Sequence, residues 1–269
     1  MYTRKAALAV LLGSLLMVPV ALNAQLSITN GLSHLDSASP GQTYRSSVVV
    51  RNNGKENERV KLYLNDYLFF ADGSNIFGEP GRDPRSNSSW ISLDENEVVI
   101  APGKEHEVPY SVRVPSDTAM VGSYWSLIFV QAITQSLLNP DKNADDTVGV
   151  TSGVRFGVQV VTNMGESGIR KLRFYDTKLQ KGEESSSLQV SVENTGERKL
   201  NPLSSADVYN ADGVFVGHIA SREVGLYPGT SVRLQFPLVG MAKGRYKAQV
   251  VADCGGNDIF GAIYSIELK

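Results

Sequence analysis

One cysteine and three histidines in 269 residues leave this chain little reactive chemistry. Cys254 has no second cysteine to pair with, so no internal disulfide braces the fold and stability must come from apolar packing. It follows "QVVAD" and precedes Gly255-Gly256, which reads as a structural thiol at a strand end. His34, His106 and His218 lie far apart and show no two-histidine metal spacing. There is no Gly-x-Ser-x-Gly elbow, no phosphate-cradling glycine loop and no Cys-x-x-Cys pair. No enzyme activity, cofactor or metal is therefore expected. A surplus of one charge is missing too. The 26 Lys+Arg stand against 28 Asp+Glu, which gives no basic footprint for nucleic acid or anionic lipid.

Long apolar runs are confined to the start. Residues 1–24 combine Arg4 and Lys5, an apolar stretch and a closing Asn23-Ala24, the pattern of a removable signal peptide. Gly13, Ser14 and Pro19 interrupt that stretch, and a stable span needs about 20 apolar residues. The mature chain is expected to have no stable membrane span and to act in the periplasm or at the cell surface.

A sustained helical period is absent after the leader. In its place one pattern is written twice. The first copy reads "SVVVRNNG", "VVIAPGK", "VRVP" and "GSYWSLIFV"; the second reads "LQVSVENTG", "VGLYPGT", "LQFPLV" and "GRYKAQVVA". Alternating strands, an Asn-x-Gly turn, a Pro-Gly corner and a Gly-x-Tyr strand opening predict an all-β protein of two tandem immunoglobulin-like sandwiches. The expected organisation is 1–24 leader, 25–163 first domain and 168–269 second domain. The first should hold seven strands, near 26–34, 44–51, 59–70, 98–100, 107–114, 124–132 and 148–162. The second should hold seven more, near 169–179, 187–192, 206–209, 213–220, 231–238, 245–252 and 260–268. Tyr124 and Tyr246 stand where a sandwich tyrosine gives its hydroxyl to a backbone carbonyl near the preceding corner.

Three features separate the first copy from the second. Segments 71–90 and 135–146 are long, polar loops, and such loops often carry function. In the latter, Asp141, Asn143 and Asp145 alternate as in a calcium loop. However, Asp146 replaces the required glycine and Ser152 the closing glutamate, so a solvated acidic loop is expected. Asn87-Ser88-Ser89 matches a glycosylation acceptor. The third feature is the stretch 148–160, which alternates Val148, Val150, Val154, Phe156, Val158 and Val160 with small or polar residues. At about 3.3 Å per residue it would run some 40 Å, long enough to pair within its own sheet and to offer an edge to another chain.

Two families are similar at this level. The chain resembles the periplasmic pilus chaperones over "VVVRNNG", "VIAPGK", "VRVP" and "GSYW". It is also similar to the surface proteins that interact with WxL proteins, with their peptidoglycan-binding first domain, over "DYLFFADG", "RSNSSWISL" and "VPYSVRVPSD". The chaperone resemblance implies a seventh strand that completes a client's sheet, and an Arg/Lys pair that holds the client's terminal carboxylate. Arg155 stands in for the Lys, whereas the first strand, "QLSITNGLSHL", contains neither Arg nor Lys.

Two functions are expected on these grounds. The first is a non-enzymatic, chaperone-like binding protein in cell-envelope or pilus assembly. It would contact a protein client through Val148, Val150, Val154, Arg155, Phe156 and Val158, with Arg155 as polar anchor. The alternative is a structural surface protein that binds cell-wall glycan or a surface partner through loop residues Tyr67, Phe77 and Trp90.

Overall fold

The structure, a computed structural model, describes residues 25–133, 154–182 and 185–269. It is built of strands, with one 3-10 turn at Ser88–Trp90. No helix among the described residues is long and apolar enough to cross a membrane. The leader and the acidic loop at 135–146 lie outside the described residues.

The first sandwich contains β1 (Leu26–Ile28), β2 (Ser33–Ala38), β3 (Thr43–Asn52), β4 (Glu58–Phe69), β5 (Asn75–Gly78), β6 (Ile91–Leu93), β7 (Glu97–Ile100), β8 (Glu105–Arg113), β9 (Gly122–Ala132) and β10 (Arg155–Met164). One sheet has the order β1-β3-β8-β6, and the other β2-β10-β9-β4-β5 with β7 also on β4. The expected first strand is divided. Asn30 donates to Ser47 O at 2.7 Å and Gly31 takes φ 92°, so the chain leaves one sheet after β1 and joins the other as β2. β2 then pairs in parallel with β10 from Ser33↔Gln159 to Ala38↔Met164. Alternation aims Val48, Val50, Val108, Val112, Val158 and Val160 between the sheets, all of them fully buried.

Segment 71–90 is not a free loop. It contains β5, which forms a hairpin with β4, and the buried Asp66 carboxylate gathers residues 81–88 around itself. Asp66 accepts from the backbone N–H of Gly81 (3.0 Å), Arg82 (2.8 Å) and Asp83 (2.8 Å), and from the hydroxyls of Ser86 and Ser88. Asn87 is equally fixed. Its amide donates to Val160 O at 3.1 Å and Thr162 Oγ1 at 3.0 Å in a fully buried position, which removes it as a glycan acceptor.

The second sandwich contains β11 (Leu172–Lys181), β12 (Ser186–Asn194), β13 (Leu203–Asn210), β14 (Phe215–Ala220), β15 (Ser231–Pro237), β16 (Gly244–Asp253) and β17 (Ile259–Leu268). Its sheets run β11-β12-β15 and β14-β13-β16-β17 around a core centred on Leu188, Val190, Leu226, Phe236, Ala248 and Val250. Tyr246 donates its hydroxyl to Ala242 O at 2.7 Å, as expected. Tyr124 instead packs its ring on Trp90 at 4.8 Å, with the Arg85 guanidinium over it at 5.2 Å. Cys254 sits half-buried after β16, its N–H bonded to Asp258 O at 2.9 Å.

The two sandwiches are joined by more than residues 165–168. Ser123 N donates to Glu197 O at 2.8 Å, Arg198 to Gly165 O at 2.6 Å, and Ala71 N to Ser231 Oγ at 3.0 Å. Trp125 and Val161 of the first sandwich and Tyr227 of the second form one small buried cluster.

Candidate functional site

β10 is an interior strand for most of its length. β9 pairs with all of it, from Arg155↔Gln131 to Met164↔Gly122, but β2 pairs with it only from Gln159 onward. Gln159 N donates to Leu32 O on the β2 side at 2.9 Å. Backbone direction alternates along a strand, so the N–H and C=O of Gly157 and Arg155 point the same way, past the end of β2. Among the described residues, the edge expected over 148–160 is therefore open at residues 155–158. Val160 lies beneath the β2 pairing.

Side chains alternate as well. Phe156 is half-buried against the first core and Val158 is fully buried in it, so Val158 is a packing residue and not a contact. Val154 is exposed just before the strand. Val148 and Val150 fall outside the described residues. Arg155 stands on the opposite, outer face. Its guanidinium lies 3.9 Å from the ring centre of Phe129 and 5.2 Å from that of Phe77, and it donates to the Tyr63 hydroxyl at 3.3 Å. Among the described residues no carboxylate lies within ion-pair distance of it. Its guanidinium is thus stacked on aromatic faces.

That outer face carries a row of rings. Tyr63 meets Phe129 at 5.4 Å, Phe129 meets Phe77 at 5.4 Å, and Phe77 stacks on Tyr67 at 5.2 Å. Tyr67 continues to Phe69 at 5.5 Å, Phe69 to Tyr227 at 6.1 Å, and Tyr227 stacks on Trp125 at 4.7 Å. Gly157 makes room for this row, since a Cβ there would meet Leu127 and Phe129 at 3.3 Å. Of the three loop aromatics, Tyr67 and Phe77 come together on this face. Trp90 belongs elsewhere, against Tyr124 and the edge of the core, so the three form no common platform.

Where the row reaches the second sandwich it floors a cleft of about 720 Å³ lined by Tyr67, Phe69, Gln159, Lys199, Arg222 and Tyr227. The Tyr227 hydroxyl donates to Gln159 Oε1, and the Lys199 ammonium stands 5.5 Å over the Tyr227 ring. Burial lowers the Lys199 pKa, against an opposing effect of Glu223. Burial raises that of Tyr227. Among the described residues no group of His, Cys, Asp or Glu is arranged to hold a metal ion.

Sequence reasoning missed Tyr63, Phe129 and Gln159 as parts of this face. Their positions at alternate residues of β4, β9 and β10 were visible, but which strands lie side by side was not.

The sequence matches no protein-family profile and no curated relative. Solved structures of similar architecture include the class 5 fimbriae chaperone CfaA, 11% identical, covering 88% of this chain and 98% of that one with a TM-score of 0.45. The YadV chaperone is 12% identical, covering 89% and 100% with a TM-score of 0.45. The Escherichia coli chaperone DraB is 14% identical, covering 91% and 96% with a TM-score of 0.40. These are likenesses of overall architecture.

Proposed function

We propose that this chain is a non-enzymatic, chaperone-like binding protein of the bacterial cell envelope, exported by its leader, which takes an extended client segment along the open edge of β10. The observation that carries the reading is the early end of the β2 pairing. β2 stops at Gln159, while β10 continues to Arg155 with outward backbone groups at Gly157 and Arg155. A strand added there would collect main-chain hydrogen bonds, which give affinity without much sequence preference. Exposed Val154, half-buried Phe156 and the ring-stacked Arg155 supply apolar and cationic contacts beside it. The motif resemblance to pilus chaperones points to the same class of client, an envelope subunit whose sheet lacks a strand.

Co-purification from a periplasmic extract, with mass-spectrometric identification of what is recovered, tests this. Arg155→Pro removes one outward donor and leaves the neighbouring β9 pairs in place; Arg155→Ala removes only the side chain. Recovery of a subunit should be lost with the proline and reduced with the alanine, while both variants keep the native thermal transition. Equal recovery with both would overturn the edge reading.

A further inference from the structure

The second sandwich carries an open edge of a different kind. β17 ends its sheet, and its ten residues pair with β16 in one unbroken register from Gly244↔Leu268 to Asp253↔Ile259. Its sequence, "IFGAIYSIEL", contains no Lys, Arg or Pro. The other edges described are short or marked. β1, β5, β6 and β7 have three or four residues, β2 has six and carries the partly buried charge of Asp36, and β15 holds Arg233 and Pro237. β11 breaks register between Tyr175 and Lys178, and β14 pairs across a break between Val208 and Tyr209. Proteins blunt exposed edges with charge, proline, bulges or brevity, because an unprotected one templates pairing with another chain. β17 has none of these devices except the single charge of Glu267. Ile259 and Ile263, 60% and 70% exposed, add apolar side chains beside it.

We infer that β17 is a dimerisation edge, which pairs antiparallel with β17 of a second copy across a two-fold axis through Ile263. The strand is self-complementary about that residue. The outer face would set Ile263 against its own counterpart and Gly261 against Ser265. The inner face would set the small Ala262 against the large Tyr264 next to the axis, and Phe260 against Ile266, two apolar side chains, farther out. Each Glu267 falls opposite Ile259, so no like charges meet across the pair. The two four-stranded sheets become one of eight strands, and the isologous contact closes after two copies. A single strand pair buries less than a standard interface of about 1,600 Å², so the dimer is reversible and concentration-dependent. It does not involve the β10 edge.

Sedimentation velocity of the full mature chain over a concentration series tests this. A monomer–dimer equilibrium is expected. Ile263→Lys places like charges face to face and should weaken it at least about tenfold, and Ser265→Lys should do so as well. Both sites are exposed, so the thermal transition should hold, and Val239→Lys, at a 72% exposed site off the strand, should leave the dimer unchanged. A chain that stays monomeric throughout overturns the inference. So does a dimer indifferent to Ile263→Lys and Ser265→Lys, or growth beyond two copies.

Discussion

Asn52 and Asn194 make the same three connections in the two sandwiches. The Asn52 amide donates to Glu56 O at 2.7 Å and Ile100 O at 2.8 Å, and its Oδ1 accepts from Gly54 N at 2.8 Å. The Asn194 amide donates to Arg198 O at 2.7 Å and Leu226 O at 3.0 Å, and its Oδ1 accepts from Gly196 N at 2.9 Å. In each case the far carbonyl belongs to the residue two before the proline of the Pro-Gly corner, and the corner glycine N–H returns to the asparagine carbonyl. The turn and the corner that recur in the sequence are thus one device, an asparagine that ties two distant turns together.

Asn52→Ala and Asn194→Ala should each cost about 2–4 kcal/mol, because two carbonyls lose their donor at a fully buried side chain. Urea denaturation measures this. A cost under about 0.5 kcal/mol, the range of an ordinary surface change, would show that water replaces the amide.

Asp66 predicts an acid sensitivity. Burial pushes its pKa up, but hydrogen bonds from Asp83, Ser86, Gly81 and Ser88 outweigh that and hold the carboxyl below its ordinary value. A depressed folded pKa contributes stability above the unfolded value of about 3.9, and that contribution is lost as pH falls through the folded pKa. Asp66→Asn should cost about 2–4 kcal/mol at neutral pH, since an amide NH₂ then faces donors. It should also flatten the acid limb of the stability curve and expose residues 79–88 to protease. Parallel acid limbs in the two proteins would show that Asp66 is not the group responsible.

Gly122 sits at φ 79°, and a Cβ there would stand 2.0 Å from Glu197 O of the other sandwich. Gly122→Ala should cost about 3 kcal/mol or more and loosen the contact between sandwiches, which calorimetry would read as two transitions replacing one. A single transition at an unchanged temperature would mean that the contact tolerates displacement.

Burial, with Asp258 and Asp253 nearby, raises the Cys254 thiol to about 11. At mildly alkaline pH it should hold roughly one hundredth of the thiolate of an ordinary cysteine and alkylate correspondingly slowly. The rate of iodoacetamide modification against free cysteine checks this.

The strands were legible in the order of residues alone, because alternation of apolar and polar side chains encodes the face each one takes. So were the paired turns, because Asn, Gly and Pro at those points carry their own backbone geometry. Cys254 at a strand end, the two-sandwich architecture and the Tyr246 bond could be read in this way. Strand adjacency could not. The break at Asn30-Gly31 that sends β2 against β10 looks like any turn, yet it covers β10 from Gln159 onward, and with it the last residues of the edge that the alternation of 148–160 had suggested. The loop at 71–90 looked free because the carboxylate that gathers it, Asp66, lies on a strand and binds backbone groups that have no sequence signature. The face shared by Arg155, Phe129, Phe77 and Tyr63 came from two strands and a hairpin laid side by side. Folding in three dimensions set that neighbourhood, because hydrogen bonds between strands are made by backbone, which is the same at every residue.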